Sequence, residues 1–218
     1  MANTEFSSES SNHSFQASTI RLLFCGSLTP LVFWTTTVIC GLVLGDYNHF
    51  SRMVSELGTI GTPSQSLFTT GLVSCSILSL LFIFGLRRTC QRLKLSTLPV
   101  WLIFSYSFST AGAGLFPLPL RLHGILGMPS IALVFSPLTA LFLWPRAHSP
   151  SNLRAMACLA FAIMSLGFLA FSPTILGSLP GLKQRFFHVG WGVWFIYLSV
   201  SFTQAIKDKQ PEPRSMHA

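Results

Sequence analysis

Between Ser10 and Lys207 the 218-residue chain carries two carboxylates, Asp46 and Glu56, and both lie in one polar stretch, GDYNHFSRMVSELGTIGTP, Gly45 to Pro63. The same stretch holds His49 and Arg52. A carboxylate among imidazoles can orient a histidine as general base, complete a His/Glu metal shell, or bind and pass a cation or proton. Two further histidines open later apolar segments: His123 in GLFPLPLRLHG, beside Arg121, and His188 in GLKQRFFHVGWG, beside Lys183 and Arg185. Glu56, His123 and His188 are therefore the candidate catalytic residues. His49, Arg52, Arg121 and Arg185 are candidate ligand contacts, the guanidinium groups being suited to an anionic head group. Taken alone, Arg52 and Glu56 at i,i+4 would be a surface ion pair worth about 0–1 kcal/mol. Ser55 adjoins Glu56, but neighbouring helix residues point apart, so it reads as a helix residue rather than a nucleophile.

The elements that must position these groups are long and apolar. Half the residues are hydrophobic and 9% are charged, against about a quarter charged in an ordinary soluble domain. Uncharged runs extend over Leu22 to Gly45, Leu67 to Leu86, Leu98 to Leu120, Ile125 to Trp144, Ala155 to Leu182 and His188 to Ile206. Each supplies the roughly 20 residues that cross about 30 Å of hydrocarbon at about 1.5 Å per residue. The predicted fold is an all-α integral membrane protein, six transmembrane helices in a single bundle. Residues 1–20 read as a polar, disordered cytoplasmic tail, 21–206 as the spanning domain, and 207–218 as a second cytoplasmic tail. The first run is too long for a signal peptide and lacks a cleavage signal, so it reads as a retained anchor.

A net charge of +8 would suit nucleic acid, but the basic residues sit in short tracts between hydrophobic runs, which is how membrane topology is encoded. The partner implied is the lipid bilayer and no nucleic acid. With six spans, one side receives ten Lys and Arg: Arg21, Arg87, Arg88, Arg92, Lys94, Arg146, Arg154, Lys207, Lys209 and Arg214. The other receives four: Arg52, Arg121, Lys183 and Arg185. That asymmetry places both termini in the cytoplasm of a cell inner or plasma membrane. Tyr47, Trp191 and Trp194 then fall at the outer interface, and Trp101 and Trp144 at the inner one. The five cysteines show no paired metal or disulfide spacing. Pro129, Pro137 and Pro173 predict kinks in spans four and five, and STAGAG at Ser109 to Gly114 gives span three a small-residue face.

The opening stretch carries Phe50, Met53, Val54, Leu57 and Ile60 at helical spacing. With Asp46 or Asn48 to cap it and Gly58, Gly61 and Pro63 to stop it, it predicts a short amphipathic interfacial helix between spans one and two. That helix would lie as a lid over the outer end of the bundle.

These residues resemble a known family. SRMVSELGTIGTPSQSLFTTGLV is similar to the segment that marks domain-of-unknown-function family 998, bacterial and archaeal membrane proteins. The matching positions are Ser55, Glu56, Leu57 and Gly58, then Gly114, Phe116 and Pro117, then His123 and Gly124. The resemblance runs from Arg21 to Ile206 and implies a six-span bundle with no assigned activity. In the family pattern an aspartate often follows FP; here FPLPLRLHG has no acid, which leaves Glu56 as the principal carboxylate.

Four functions share these residues. A membrane-embedded enzyme would act on a lipid-like substrate at the outer interface, with Glu56 and a histidine as its acid–base pair. A binding or transport protein would hold a small molecule or ion at the outer face, although only hydroxyls such as Ser105, Ser107, Ser109 and Thr110 could line a path and the spans show no ionisable relay near their middle. Haem between His123 and His188 is a third, and an accessory subunit of another membrane complex a fourth. Neither a cofactor nor an oligomeric state follows from the residues alone.

Overall fold

The computed structural model describes residues 2–145, 149–150 and 152–208, with side chains from Ser14 onward. Lys209, Arg214 and Arg146 lie outside the described residues. The described chain is helical with irregular connections: α1 (Ala2–Leu44), α2 (Gln65–Leu93), α3 (Leu98–Leu115), α4 (Arg121–Gly127), α5 (Phe135–Leu143), α6 (Leu153–Leu166) and α7 (Pro180–Lys207). A 3₁₀ segment at Met128–Val134 joins α4 to α5, and another at Gly167–Phe171 extends α6. Six segments are long and apolar enough to cross a bilayer: Ser14–Leu44, Gln65–Leu93, Leu98–Leu115, Arg121–Leu143, Leu153–Phe171 and Pro180–Lys207. All five cysteines are free.

Two expectations about local structure change. α1 starts at Ala2, so the boundary expected at Arg21 falls inside a helix. Over its described side chains that helix is anchored: Thr19 Oγ1 donates to Phe15 O, and the Arg88 guanidinium lies 5.7 Å from the Phe15 ring centroid. Pro129 starts the 3₁₀ segment of span four, as a proline that cannot continue the α pattern should. Pro173 instead follows the end of span five, where Ser172 turns to an extended conformation.

Small residues set how closely the helices approach. A Cβ at Gly71 of α2 would collide with Thr36 of α1, and one at Gly85 with Leu22 and Leu23. Hydroxyls then bond across the helices: Ser76 Oγ donates to Ser107 O at 2.8 Å, Ser79 and Ser107 share a 2.6 Å hydrogen bond, and Ser27 Oγ donates to Ser199 Oγ at 2.9 Å. In hydrocarbon, close packing and such bonds replace the hydrophobic force that drives soluble helices together.

Helix α7 runs through the core, packed on α1, α2 and α6. Its Trp191, Trp194, Phe195 and Phe202 are fully buried. This overturns the aromatic-belt expectation for four of five residues. Trp191 Nε1 donates to His188 Nδ1, Trp194 Nε1 to Ser136 Oγ and Trp144 Nε1 to Ser96 O, while Tyr47 is buried under the α1–α2 loop. Each indole has an internal acceptor and so needs no headgroup. Trp101 alone of the five is exposed.

Gly71→Leu should lower the thermal unfolding midpoint of the purified chain, because overpacking typically costs about 1–3 kcal/mol. A midpoint equal to that of the unmodified protein would contradict the close approach of α1 and α2.

Candidate functional site

The polar stretch between α1 and α2 folds as a pinned loop. Its helical part is one 3₁₀ turn, Val54–Gly58, so the expected amphipathic helix is cut to five residues. The reason is local competition for the backbone. Asn48 Oδ1 accepts the amides of Phe50 and Ser51, Tyr47 Oη donates to Met53 O at 2.7 Å, and Glu56 Oε1 accepts the Met53 amide at 2.8 Å. Such side-chain bonds give the chain an alternative to the helical ladder. Gly45 and Gly61 bracket the loop with φ of 76° and 85°, conformations that other residues resist.

Arg185 of α7 holds the loop from beneath. Its side chain is largely buried, and among the described residues it has no carboxylate partner. The guanidinium instead donates to Gly181 O (3.0 Å), Arg52 O (3.1 Å), Tyr47 Oη (3.0 Å) and His49 Nδ1 (3.0 Å). Two backbone bonds complete the attachment: Leu182 N–H donates to Phe50 O, and Val54 N–H to Gln184 Oε1. Arg52 turns outward, its Nε 2.9 Å from Glu56 Oε2 and its Nη1 3.6 Å from Asp46 Oδ1. Lys183 is 2% exposed and donates to Ser172 O and Ile175 O.

Under the loop, between α3, α4 and α7, lies a cavity of about 360 Å³. That is the size at which small-molecule pockets begin. Its wall is mostly apolar, with Phe33, Met53, Phe68, Leu72 and Phe187 prominent. α4 contributes Gly124 and Gly127, and a Cβ at either would meet nothing within 4 Å. The polar groups in the wall include His123, His188, Tyr106, Ser109, Thr110 and Gln184.

Three of these carry the observation that matters most. Among the described residues, the buried side-chain N and O atoms without a hydrogen-bond partner are Tyr106 Oη, Ser109 Oγ and His188 Nε2. All three residues line this one cavity. Tyr106 Oη lies near Thr110 and Cys75 but makes a well-formed bond to neither. A buried polar group left unpaired typically costs about 1–3 kcal/mol, so three around one space call for an explanation.

The tautomers follow from the partners. His188 Nδ1 accepts from Trp191, so in the neutral ring Nε2 carries the proton and is a donor. His123 Nδ1 lies 3.0 Å from Phe116 O and 3.2 Å from Ala113 O, both acceptors, so Nδ1 carries its proton and Nε2 keeps a lone pair. The residues of the wall thus carry one imidazole donor, one imidazole acceptor and the two unpartnered hydroxyls of Tyr106 and Ser109.

The seven candidate residues therefore divide. His123 and His188 line the cavity. His49, Arg52, Glu56 and Arg185 form the loop network and do not line it, and Arg121 is exposed at the first residue of α4. Both Glu56 oxygens are committed, one to the Met53 amide and one to Arg52, so the carboxylate acts as a clasp for the loop. Among the described residues no three His, Cys, Asp or Glu side chains are grouped to hold a metal ion. The unpartnered His188 nitrogen, Nε2, is protonated in the neutral ring, which does not suit it to ligate a metal or haem. Tyr106 and Gln184 escaped the sequence reading, while Ser109 and Thr110 entered it only as hydroxyls that could line a path and as part of the small-residue face of span three. Their signal was present: Tyr106, Ser109, Thr110 and Ala113 fall at i, i+3, i+4 and i+7 on α3, a single face.

The loop network also fixes a pH dependence. Burial first, and the Arg185 charge second, lower the His49 pKa below its usual 6.5. In the unfolded chain His49 takes up a proton as pH falls through about 6.5; in the fold it stays neutral to lower pH. The unfolded state then binds more protons, so stability should fall between pH 7 and the lowered folded value. Thermal midpoints at pH 7.5 and 5.5 should show this drop, and His49→Asn should flatten it. An unchanged slope in the variant would remove His49 from the network.

No curated protein and no solved structure matches the chain. The description "protein of unknown function (DUF998)" matches residues 27–201, which takes in the loop clasp, the α3 hydroxyl face, His123 and His188. On that match the chain belongs to the DUF998 family.

Proposed function

We propose that the protein binds a lipid-like or apolar small molecule in the cavity between α3, α4 and α7. One observation carries this reading: the three unpartnered buried polar atoms all belong to residues of that cavity's wall. An apolar ligand bearing a polar group would bury its tail against Phe33, Phe68 and Phe187 and satisfy those atoms at its head. Support also comes from α4, none of whose residues is buried and whose two cavity-lining glycines border open space. Binding at this depth serves carriage, sensing or chemistry on the ligand. For chemistry, His123 is the favoured base, since its Nδ1–H is held by two carbonyls and its Nε2 is left as acceptor.

The reading extends to orientation. Among the described residues the cavity end carries four Lys and Arg against seven at the opposite end, Arg21, Arg87, Arg88, Arg92, Lys94, Arg154 and Lys207, which supports a cavity facing away from the cytoplasm and cytoplasmic termini.

A neutral fluorophore, 1-aminoanthracene, tests the cavity directly. It should bind the purified full chain saturably with a blue-shifted emission. Gly124→Trp, which fills the cavity from a position where a side chain has room, should abolish the saturable signal. Glu56→Gln keeps an acceptor for the Met53 amide and should leave it unchanged. Saturable binding that survives Gly124→Trp would place the fluorophore elsewhere and count against the proposal.

A further inference from the structure

We infer that the cavity selects an uncharged head group, a hydroxyl or carbonyl on an apolar chain, over phosphate or carboxylate. The inference rests on the cavity being the ligand site and names the class of ligand it takes. Among the described residues lining the cavity there is no Lys, Arg, Asp or Glu. Three of the four cations at this end are committed elsewhere, and the fourth, Arg121, does not line the cavity. Arg52 is paired with Glu56 and Asp46. Arg185 spends its donors on Arg52 O, Gly181 O, Tyr47 Oη and His49 Nδ1. Lys183 is bound to Ser172 O and Ile175 O, and Arg121 is at the exposed start of α4. Two of the three guanidinium groups that the sequence offered for an anionic head, those of Arg52 and Arg185, are thus used to build the roof.

Both histidines reinforce this selection. His188 accepts from an indole at Nδ1, which leaves it neutral with a single N–H, at the unpartnered Nε2. His123, with Nδ1–H held by carbonyls, presents a lone pair at Nε2, and a lone pair repels an anion. An anion entering this wall would surrender its hydration and meet no countercharge, at a cost well above that of a neutral oxygen. A hydroxyl fits each group: its oxygen accepts from His188 Nε2–H or Tyr106, and its hydrogen is donated to Ser109 or His123 Nε2. A carbonyl supplies the acceptor half of that pattern.

Displacement of 1-aminoanthracene from the full chain in phosphatidylcholine nanodiscs at pH 8 separates these outcomes. The competitors are dodecanol, 2-tridecanone, dodecanoate, dodecyl phosphate and dodecane, so tail length is nearly constant and the head varies. Dodecanol should compete at least about tenfold more strongly than dodecanoate or dodecyl phosphate. Tyr106→Phe and Ser109→Ala should each weaken dodecanol severalfold while leaving dodecane unaffected. The ketone should fall between dodecanol and dodecane, and should be insensitive to Ser109→Ala if Ser109 acts as an acceptor. Anions that compete as well as the alcohol would overturn the neutral-head inference while leaving the cavity as a ligand site. Equal competition by dodecane and dodecanol would overturn it too, since only the tail would then be read. If none of the five displaces the fluorophore, and Gly124→Trp leaves the fluorophore bound, the ligand-site reading itself fails.

Discussion

A buried guanidinium with no carboxylate partner among the described residues is the constraint on which the upper half of this bundle depends. Arg185 sits near the start of α7, where four acceptors from the α1–α2 loop and its own helix surround it. Removing one partner of a buried charge is far more damaging than the pair is stabilising, because the remaining group is left desolvated. The loop is therefore fixed at the depth of Arg185, and Gly181 permits that depth: a Cβ there would collide with Arg52 O. Once fixed, Met53, Val54 and Ser55 become part of the cavity wall. The same interaction keeps a positive charge out of the cavity, so loop attachment and cavity chemistry share one cause.

The cavity exists where helix packing gives out. α1 and α2 approach closely through Gly71 and Gly85, and α2 and α3 are tied by Ser76, Ser79 and Ser107. Span four interrupts this pattern: Pro129 breaks it into a seven-residue α4 and a 3₁₀ segment, and α4 packs on α3 and on that segment. Gly112 accepts the close approach of Leu126, while Gly124 and Gly127 leave space on the cavity side. Small residues thus serve two purposes on one pair of helices, close contact on one side and an opening on the other.

The architecture was legible in the sequence because hydrophobic runs of spanning length have few alternative folds. The family resemblance drawn from local strings in the sequence agrees with the family match over residues 27–201. It was also legible that polar groups gather at one end. What the sequence left hidden was which partner each polar group would take. Glu56 reads as a free carboxylate among imidazoles, yet its oxygens are consumed by a neighbouring amide and by Arg52. Trp191 and Trp194 read as interfacial, yet both N–H groups find internal acceptors. Periodicity predicted a helix over the loop, and it lost to Asn48, Tyr47 and Glu56 bonding the backbone. Tyr106 passed as span packing because a hydroxyl within an apolar run carries no mark of whether it is paired.

Backbone hydrogen exchange tests the central claim, that Arg185 holds the loop against α7, most directly. In the unmodified protein the amides of Phe50, Met53, Val54 and Leu182 should be protected, since each donates to a loop or α7 acceptor. In Arg185→Gln that protection should be lost across the loop and at Leu182, while α2 and the lower part of α7 stay protected. Loop amides that exchange as slowly in Arg185→Gln as in the unmodified chain would contradict the account, and so would a uniform loss of protection through every helix.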